Sequence, residues 1–255
     1  MDLGLTDRRF LVTGASRGLG AAVARALSAE GARLALGARP SDALTAAADH
    51  LGAHAVPVDL AEAAGATTAV RVAVDALGGL DGLLVNSGGP LPGSFDDLDE
   101  AAWETAIAGT LLSSIRLIRE ALPHLRDGRD PAILVILSSS AREPVPGLVT
   151  SNVLRPGLAG LVKSLASEIA PIRINGLAPG RLDTDRVRSL DAARAAKERI
   201  SVDDARNANI ARIPLGRYGD PVELGRVAAF LLSPAASYLT GVILPVDGGM
   251  IKSLP

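Results

Sequence analysis

The stretch Thr13-Gly14-Ala15-Ser16-Arg17-Gly18-Leu19-Gly20 carries the clearest chemical instruction in this chain. It sits between a short run of strand-forming residues, Arg9–Thr13, and an alanine-rich helical pattern. In such a setting Gly14 permits a backbone turn that a side chain forbids, Gly18 lets the chain approach a pyrophosphate, and Gly20 lets the helix pack tightly on the strand. Free amides and the dipole at the helix start then favour bound phosphate. Glycines alone are a weak signal, because three of them in a turn can be mere geometry. Their placement between strand and helix is what points to dinucleotide binding.

Which dinucleotide is read at the end of the next strand. A site for NAD places a carboxylate there to bind the ribose hydroxyls, whereas an arginine accommodates the 2′-phosphate of NADP. This chain has Gly37-Ala38-Arg39-Pro40 and no acid. Arg39, helped by Arg17, can clamp a phosphate through charge-assisted hydrogen bonds. NADP(H) is therefore favoured, with NAD(H) the alternative if Arg39 is only a solvated surface residue.

The elements that must position these groups are legible as short apolar runs separated by alanine-rich stretches. The runs Arg9–Thr13, 33–38, 55–58, 83–86, 132–138, 172–177 and 242–246 have the length and continuity of strands buried on both faces. Their alternation with helical patterns predicts an α/β fold: one Rossmann domain over residues 1–255, a doubly wound parallel sheet of about seven strands with helices on both faces. In the helix beginning at Asp99, the residues Ile107, Leu111, Ile115 and Ile118 recur at spacings of four, four and three and form an apolar stripe. Residues 182–217 break the pattern, being polar and charged. They read as a mobile substrate-side segment over the cleft, or as a plain surface loop with a helix in it.

Composition bounds the function. The chain has 255 residues, 48% hydrophobic and 21% charged, with 26 basic and 28 acidic residues scattered along it. That balance predicts neither a nucleic acid nor a membrane as partner, and leaves a small molecule. There is no cysteine, and the three histidines, His50, His54 and His124, are too dispersed for a metal cluster, so no metal site is expected. No secretory signal and no spanning apolar run is visible, which predicts a cytoplasmic protein.

The chain resembles the short-chain dehydrogenase/reductase family, close to its 3-oxoacyl-carrier-protein reductase type, over nearly its whole length. Besides the glycine loop, Asp59-Leu60 resembles the family's adenine contact after the third strand, and Asn86-Ser87-Gly88 its turn beside the cofactor. Pro179-Gly180-Arg181-Leu182-Asp183-Thr184 resembles the loop that holds the nicotinamide amide. Pro214-Leu215-Gly216-Arg217, Ser237-Tyr238-Leu239-Thr240-Gly241 and Val246-Asp247-Gly248-Gly249 are similar to later family motifs. The resemblance implies cofactor contacts at Gly14, Ser16, Arg17, Gly18, Leu19, Gly20, Arg39, Asp59, Leu60, Asn86, Ser87, Gly88, Arg155, Pro179, Gly180, Leu182 and Thr184. It also implies a homo-oligomer, tetramer or dimer, built through helices near 99–122 and 152–170 and the last strand.

At the catalytic positions the resemblance stops. The family uses a serine after the fifth strand, a tyrosine thirteen positions on, a lysine four beyond that, and an asparagine on the preceding helix. Here Ser138 fits the serine, but Ser151, Arg155 and Thr110 stand at the other three. A phenol ionises near pKa ~10 and a neighbouring cation brings that toward neutrality, whereas an aliphatic hydroxyl neither gives nor takes a proton so readily. Arginine keeps its charge and can bind a ribose or an oxyanion. Losing positioned acid–base catalysis forfeits about 10²–10⁴ in rate, while hydride positioning survives.

Residues 151 and 155 share one helix face, so the pair still points at one place. Ser151 could bind a carbonyl or a water and Arg155 stabilise developing negative charge. Equally, Ser151 could simply cap the helix and Arg155 hold a phosphate, ribose or carboxylate without reaction. Pro156 removes a helical hydrogen bond unless it lies in the first turn. Glu143 and Arg142 read as solvated loop charges, Lys163 as solvated, and Trp103 as a packing residue. Two functions follow: an NADP(H)-dependent oxidoreductase acting on a carbonyl or alcohol, or a catalytically inactive cofactor-binding sensor or subunit.

Overall fold

Alternation along each strand builds the sheet. In a computed structural model, which describes residues 2–253, seven parallel strands are β1 (Arg9–Thr13), β2 (Arg33–Ala38), β3 (His54–Pro57), β4 (Gly82–Val85), β5 (Ala132–Ile136), β6 (Arg173–Pro179) and β7 (Ile243–Val246). Their order is β3-β2-β1-β4-β5-β6-β7. The helices are α1 (Gly18–Ala29), α2 (Asp42–Leu51), α3 (Gly65–Leu77), α4 (Glu100–Ala106), α5 (Ser113–Arg126), α6 (Val149–Glu168), α7 (Asp185–Glu198), α8 (Val202–Ile210) and α9 (Pro221–Leu232).

Phe10, Val12, Leu34, Leu36, Leu84, Leu134 and Ile136 face one side and pack on α1, α2 and α9. The residues between them, Leu11, Ala35, Leu83, Val85, Ile133 and Val135, face the other side and pack on α3, α5 and α6. Each fully buried leucine or isoleucine contributes about 1.5–3 kcal/mol by leaving water. The two edge strands, β3 and β7, have four residues each and each contains a proline, Pro57 and Pro245. At the amino-terminal rim the buried Asp81 carboxylate accepts hydrogen bonds from the Arg9 side chain and from the amides of Arg9 and Arg129.

Strand order reverses between β1 and β4, so their carboxyl ends open a crevice, the usual place for a ligand in such sheets. β5 stops at Ile136, short of the expected end at Ser138, because Ser138 caps a 3₁₀ turn, Ser139–Ala141. The helix expected from Asp99 is broken by a π-helical turn, Ile107–Leu112, between α4 and α5. That turn rotates the face presented to the sheet. Of the expected stripe only Ile118 is fully buried, and the core face is Thr110, Ser114, Leu117, Ile118, Ala121 and Leu125.

Residues 182–217 form a helical hairpin, α7 and α8, around a buried carboxylate. Asp191 is 1% exposed and accepts from Arg181, Asn209 and the Tyr218 hydroxyl at 3.1, 2.8 and 2.8 Å. The Arg206 guanidinium lies 4.3 Å over the Tyr218 ring and pairs with Asp183.

Candidate active site

The glycine loop turns from β1 into α1 with Gly14 and Gly18 both at φ +60. A Cβ at Gly20 would lie 2.2 Å from the Gly14 carbonyl, so the third glycine serves the loop's close approach to its own helix. Space above Gly18 is open, with Thr184 the nearest neighbour at 4.0 Å from a hypothetical Cβ. α2, α4, α7, α8 and α9 each begin with a side chain bonded to a first-turn amide, from Ser41, Asp99, Thr184, Ser201 and Asp220. α1, like α3 and α6, has none; of these α1 alone follows the glycine loop, where its first amides can bind an anion.

Around this loop the structure gathers the other candidates. Thr13 Oγ1 accepts from the Asn86 amide at 2.9 Å, which ties the ends of β1 and β4. Ser16, Leu19, Asp59, Leu60 and Ser87 are half-buried; Arg17, Arg39 and Gly88 are exposed. The Ser87 hydroxyl is buried without a partner. Pro179, Leu182 and Thr184 are buried, and Gly180 closes on Asp247.

On the other side of the crevice, Ser138 Oγ accepts from the Ser140 amide at 3.1 Å. Ser140 Oγ lies 2.8 Å from Ser151 Oγ in a buried pair. Ser151 therefore does not cap its helix, correcting that reading: the cap position is Leu148, and Ser151 is the third helical residue. Asn152 instead braces the preceding loop, accepting from the Val145 amide and donating to its carbonyl at 2.9 and 3.0 Å. Pro156 lies beyond the first turn, on the exposed face of α6, and the helix runs on through it.

Arg155 is 5% exposed and donates from Nη1 to the Ile136 carbonyl at 2.7 Å, while its Nε is buried without a partner. Burial and the nearby Arg186 guanidinium lower its pKa to about 10, so it remains a cation at neutral pH. Thr110 is buried in the π turn, its carbonyl accepting from Ser114 Oγ at 2.7 Å; no hydrogen bond joins it to the serines or to Arg155.

Two residues here escaped the sequence reading. Ser140 was hidden inside the run Ser138-Ser139-Ser140, where nothing distinguishes it until the turn aims its hydroxyl at Ser151. Arg186, two residues beyond Thr184, gave no signal in one dimension because it meets the loop after β4 only in space. Arg142 and Glu143 are not free charges either. Arg142 donates to the Ile243 carbonyl, and Glu143 accepts from the amides of Lys252 and Ser253.

A family model described as enoyl-(acyl carrier protein) reductase matches residues 14–251. A 3-oxoacyl-[acyl-carrier-protein] reductase of Vibrio cholerae is 31% identical over 252 residues, 97% of this chain and 99% of the relative. The chain belongs to the short-chain dehydrogenase/reductase family. Among solved members of that family, an L-sorbose reductase of Gluconobacter frateurii, complexed with NADPH and L-sorbose, superposes with a TM-score of 0.94 at 28% identity over the whole of both chains. An NADPH-bound short-chain oxidoreductase of Pseudomonas aeruginosa, described as containing an atypical catalytic center, matches with a TM-score of 0.86 at 31% identity over 98% of this chain and 100% of that one. Among the described residues of this short-chain dehydrogenase/reductase, no helix is long and apolar enough to cross a membrane. Nor do three or more of its described histidines and acids group to hold a metal.

Proposed function

We propose that the protein is an NADP(H)-dependent oxidoreductase acting on a carbonyl/alcohol pair, with Ser151 and Arg155 in place of the family's tyrosine and lysine. The observation that carries this reading is Arg155: a buried cation beside the loop of Ser138, using one N–H and holding its Nε unpartnered. A buried donor left unpaired costs about 1–3 kcal/mol, which a ligand oxygen at that place relieves. The uncapped start of α1, the unpartnered Ser87 hydroxyl and the exposed Arg17 and Arg39 fit the same cofactor. NADPH in the related sorbose reductase and the Pseudomonas oxidoreductase supports the choice of NADP(H).

NADP(H) held there would supply the hydride chemistry at the substrate carbon. The protein's part is electrostatic. Ser138 donates to the substrate oxygen, held in place by its bond to the Ser140 amide, and Arg155 binds the ribose and stabilises charge developing on that oxygen. Ser151 and Ser140, joined through their hydroxyls, hand on a proton together so that neither becomes an anion; water supplies or removes it. Thr110 shapes the wall through the π turn. The α7–α8 hairpin moves as a lid, and the protein is a homo-oligomer built on α5 and α6, with Leu112 exposed in the π turn just before α5 and Val153 exposed on α6.

The test is NADPH binding followed by single-turnover mixing with ketones, aldehydes and enones. Cofactor oxidation is expected at about 10²–10⁴ below a tyrosine-containing site. Failure to bind NADPH sinks the proposal. One observation favours a second reading, a sensor without turnover: among the described residues, no side chain bonded to Ser138, Ser140 or Ser151 titrates near neutrality. Tight NADPH binding with no oxidation by any carbonyl selects it.

A further inference from the structure

Resting on the oxidoreductase reading, we propose that Arg186, together with Arg155, selects a substrate bearing a carboxylate near its reacting carbon, an oxo acid or hydroxy acid. Arg186 lies in the first turn of α7 and reaches across to the loop after β4, donating from Nη2 to the Pro90 carbonyl at 2.5 Å. Its guanidinium covers Gly89, where an added Cβ would come within 3.3 Å of Nε and Nη2. From Pro90 the loop runs to the start of α6: the Thr150 hydroxyl donates to the Leu91 carbonyl, and Gly93 bonds with Gly147 and Val149. Arg186 thus spans the crevice on the side of the helix that carries Ser151 and Arg155.

The surrounding charges make this placement informative. Of the arginines near it, Arg181, Arg188, Arg194 and Arg206 are each matched by a carboxylate: Asp191, Asp183 with Asp185, Glu198, and Asp183, while the more distant Arg199 and Arg212 of the segment are solvent-exposed. The exposed Arg186 meets only a main-chain carbonyl, and so does the buried Arg155. Burial first, and the charge of Arg186 second, lower the pKa of Arg155, and the hydrogen bonds of both side chains go to main-chain carbonyls and not to acids. The buried Arg155 cation lacks a counter-ion, which opposes the fold, and an anion held by it together with the exposed Arg186 would offset that cost. A carboxylate suits this place because its two oxygens match the fork of a guanidinium. The cofactor diphosphate is the other source of negative charge, and the uncapped amides of α1 are where it would be held.

The test uses protein saturated with NADP⁺, after its affinity for NADP⁺ has been measured. Pyruvate and acetoacetate are titrated by calorimetry, each against its methyl ester, into wild type, Arg186→Leu and Arg186→Lys. In wild type at least one acid is expected to bind about tenfold or more tighter than its ester. Arg186→Leu erases that preference with NADP⁺ affinity unchanged, and Arg186→Lys keeps most of it. Equal binding of acid and ester, or binding of none of the four probes, overturns the proposal. So does an Arg186→Leu protein that loses NADP⁺ affinity but keeps the preference, which assigns the residue to the diphosphate. A wild type that fails to bind NADP⁺ removes the oxidoreductase reading first, at a step that precedes the acids.

Discussion

Arg155 is held almost entirely out of water by a single hydrogen bond to Ile136, and the cost of that placement determines what its removal does. A buried cation without a counter-ion opposes folding, whereas a methionine of similar reach does not. In Arg155→Met the ligand-free protein is expected to melt no lower than wild type, and higher if the relief exceeds the roughly 1 kcal/mol lost with the Ile136 bond. NADPH affinity should fall by about 10–100-fold, the worth of a charged hydrogen bond. Thermal melts with and without NADPH read both effects. A ligand-free variant that melts well below wild type contradicts this account of the charge. The family resemblance named Ser138, Ser151 and Arg155 as the expected catalytic positions. What it could not contain is the role of Ser140, because a hydroxyl that bridges eleven residues of chain depends on the turn that Ser138 caps.

At the scale of elements, the hairpin of α7 and α8 shows why residues 182–217 lacked an apolar period. Its interior is polar: Asp191 and Asn209 are buried where leucines would be expected, and both are satisfied by neighbours. Tyr218 supplies the bond to Asp191 Oδ2, and burial followed by that carboxylate raises its own pKa. Tyr218→Phe leaves a buried carboxylate oxygen unpaired at a cost of about 1–3 kcal/mol. Hydrogen exchange across residues 185–210 should accelerate while β1 to β6 stay protected; unchanged exchange would show that the network does not hold the hairpin. The π turn at Ile107–Leu112 was equally hidden, since one extra residue per turn leaves no mark on composition. In α6, Pro156 withholds the donor that the Asn152 carbonyl would receive. Pro156→Ala is therefore expected to stabilise the protein, by as much as about 3 kcal/mol, with NADPH affinity retained. A lower denaturation midpoint would mean that the proline serves the site.

For the molecule as a whole, the sheet was readable because the central strands are mostly apolar and buried, while the edge strands β3 and β7 are partly exposed. Strand ends slipped by one or two residues where a cap or a ladder bond, rather than hydropathy, decides the boundary, as at Ser138 and Pro179. The crevice chemistry lies at one rim of the sheet and a structural ion pair at the other. Burial raises the pKa of Asp81, but hydrogen bonds from Arg9 and from the amides of Arg129 and Arg9 outweigh it and hold the group at about 2. An aspartate held below its ordinary value adds stability that is complete above pH ~4 and lost as pH falls through about 2. That contribution is about 2 kcal/mol. Asp81→Asn should lower stability by about that amount at neutral pH and flatten the acid limb between pH ~4 and ~2. An acid limb as steep as that of wild type would count against it.

The prolines of β3 and β7 bear on how copies of this protein meet one another. Each outermost strand lacks one backbone donor, and with four residues apiece neither offers a long template. Sheets from separate molecules are thereby discouraged from zipping together edge to edge, which protects a chain this rich in parallel apolar strands against fibrous aggregation at high concentration.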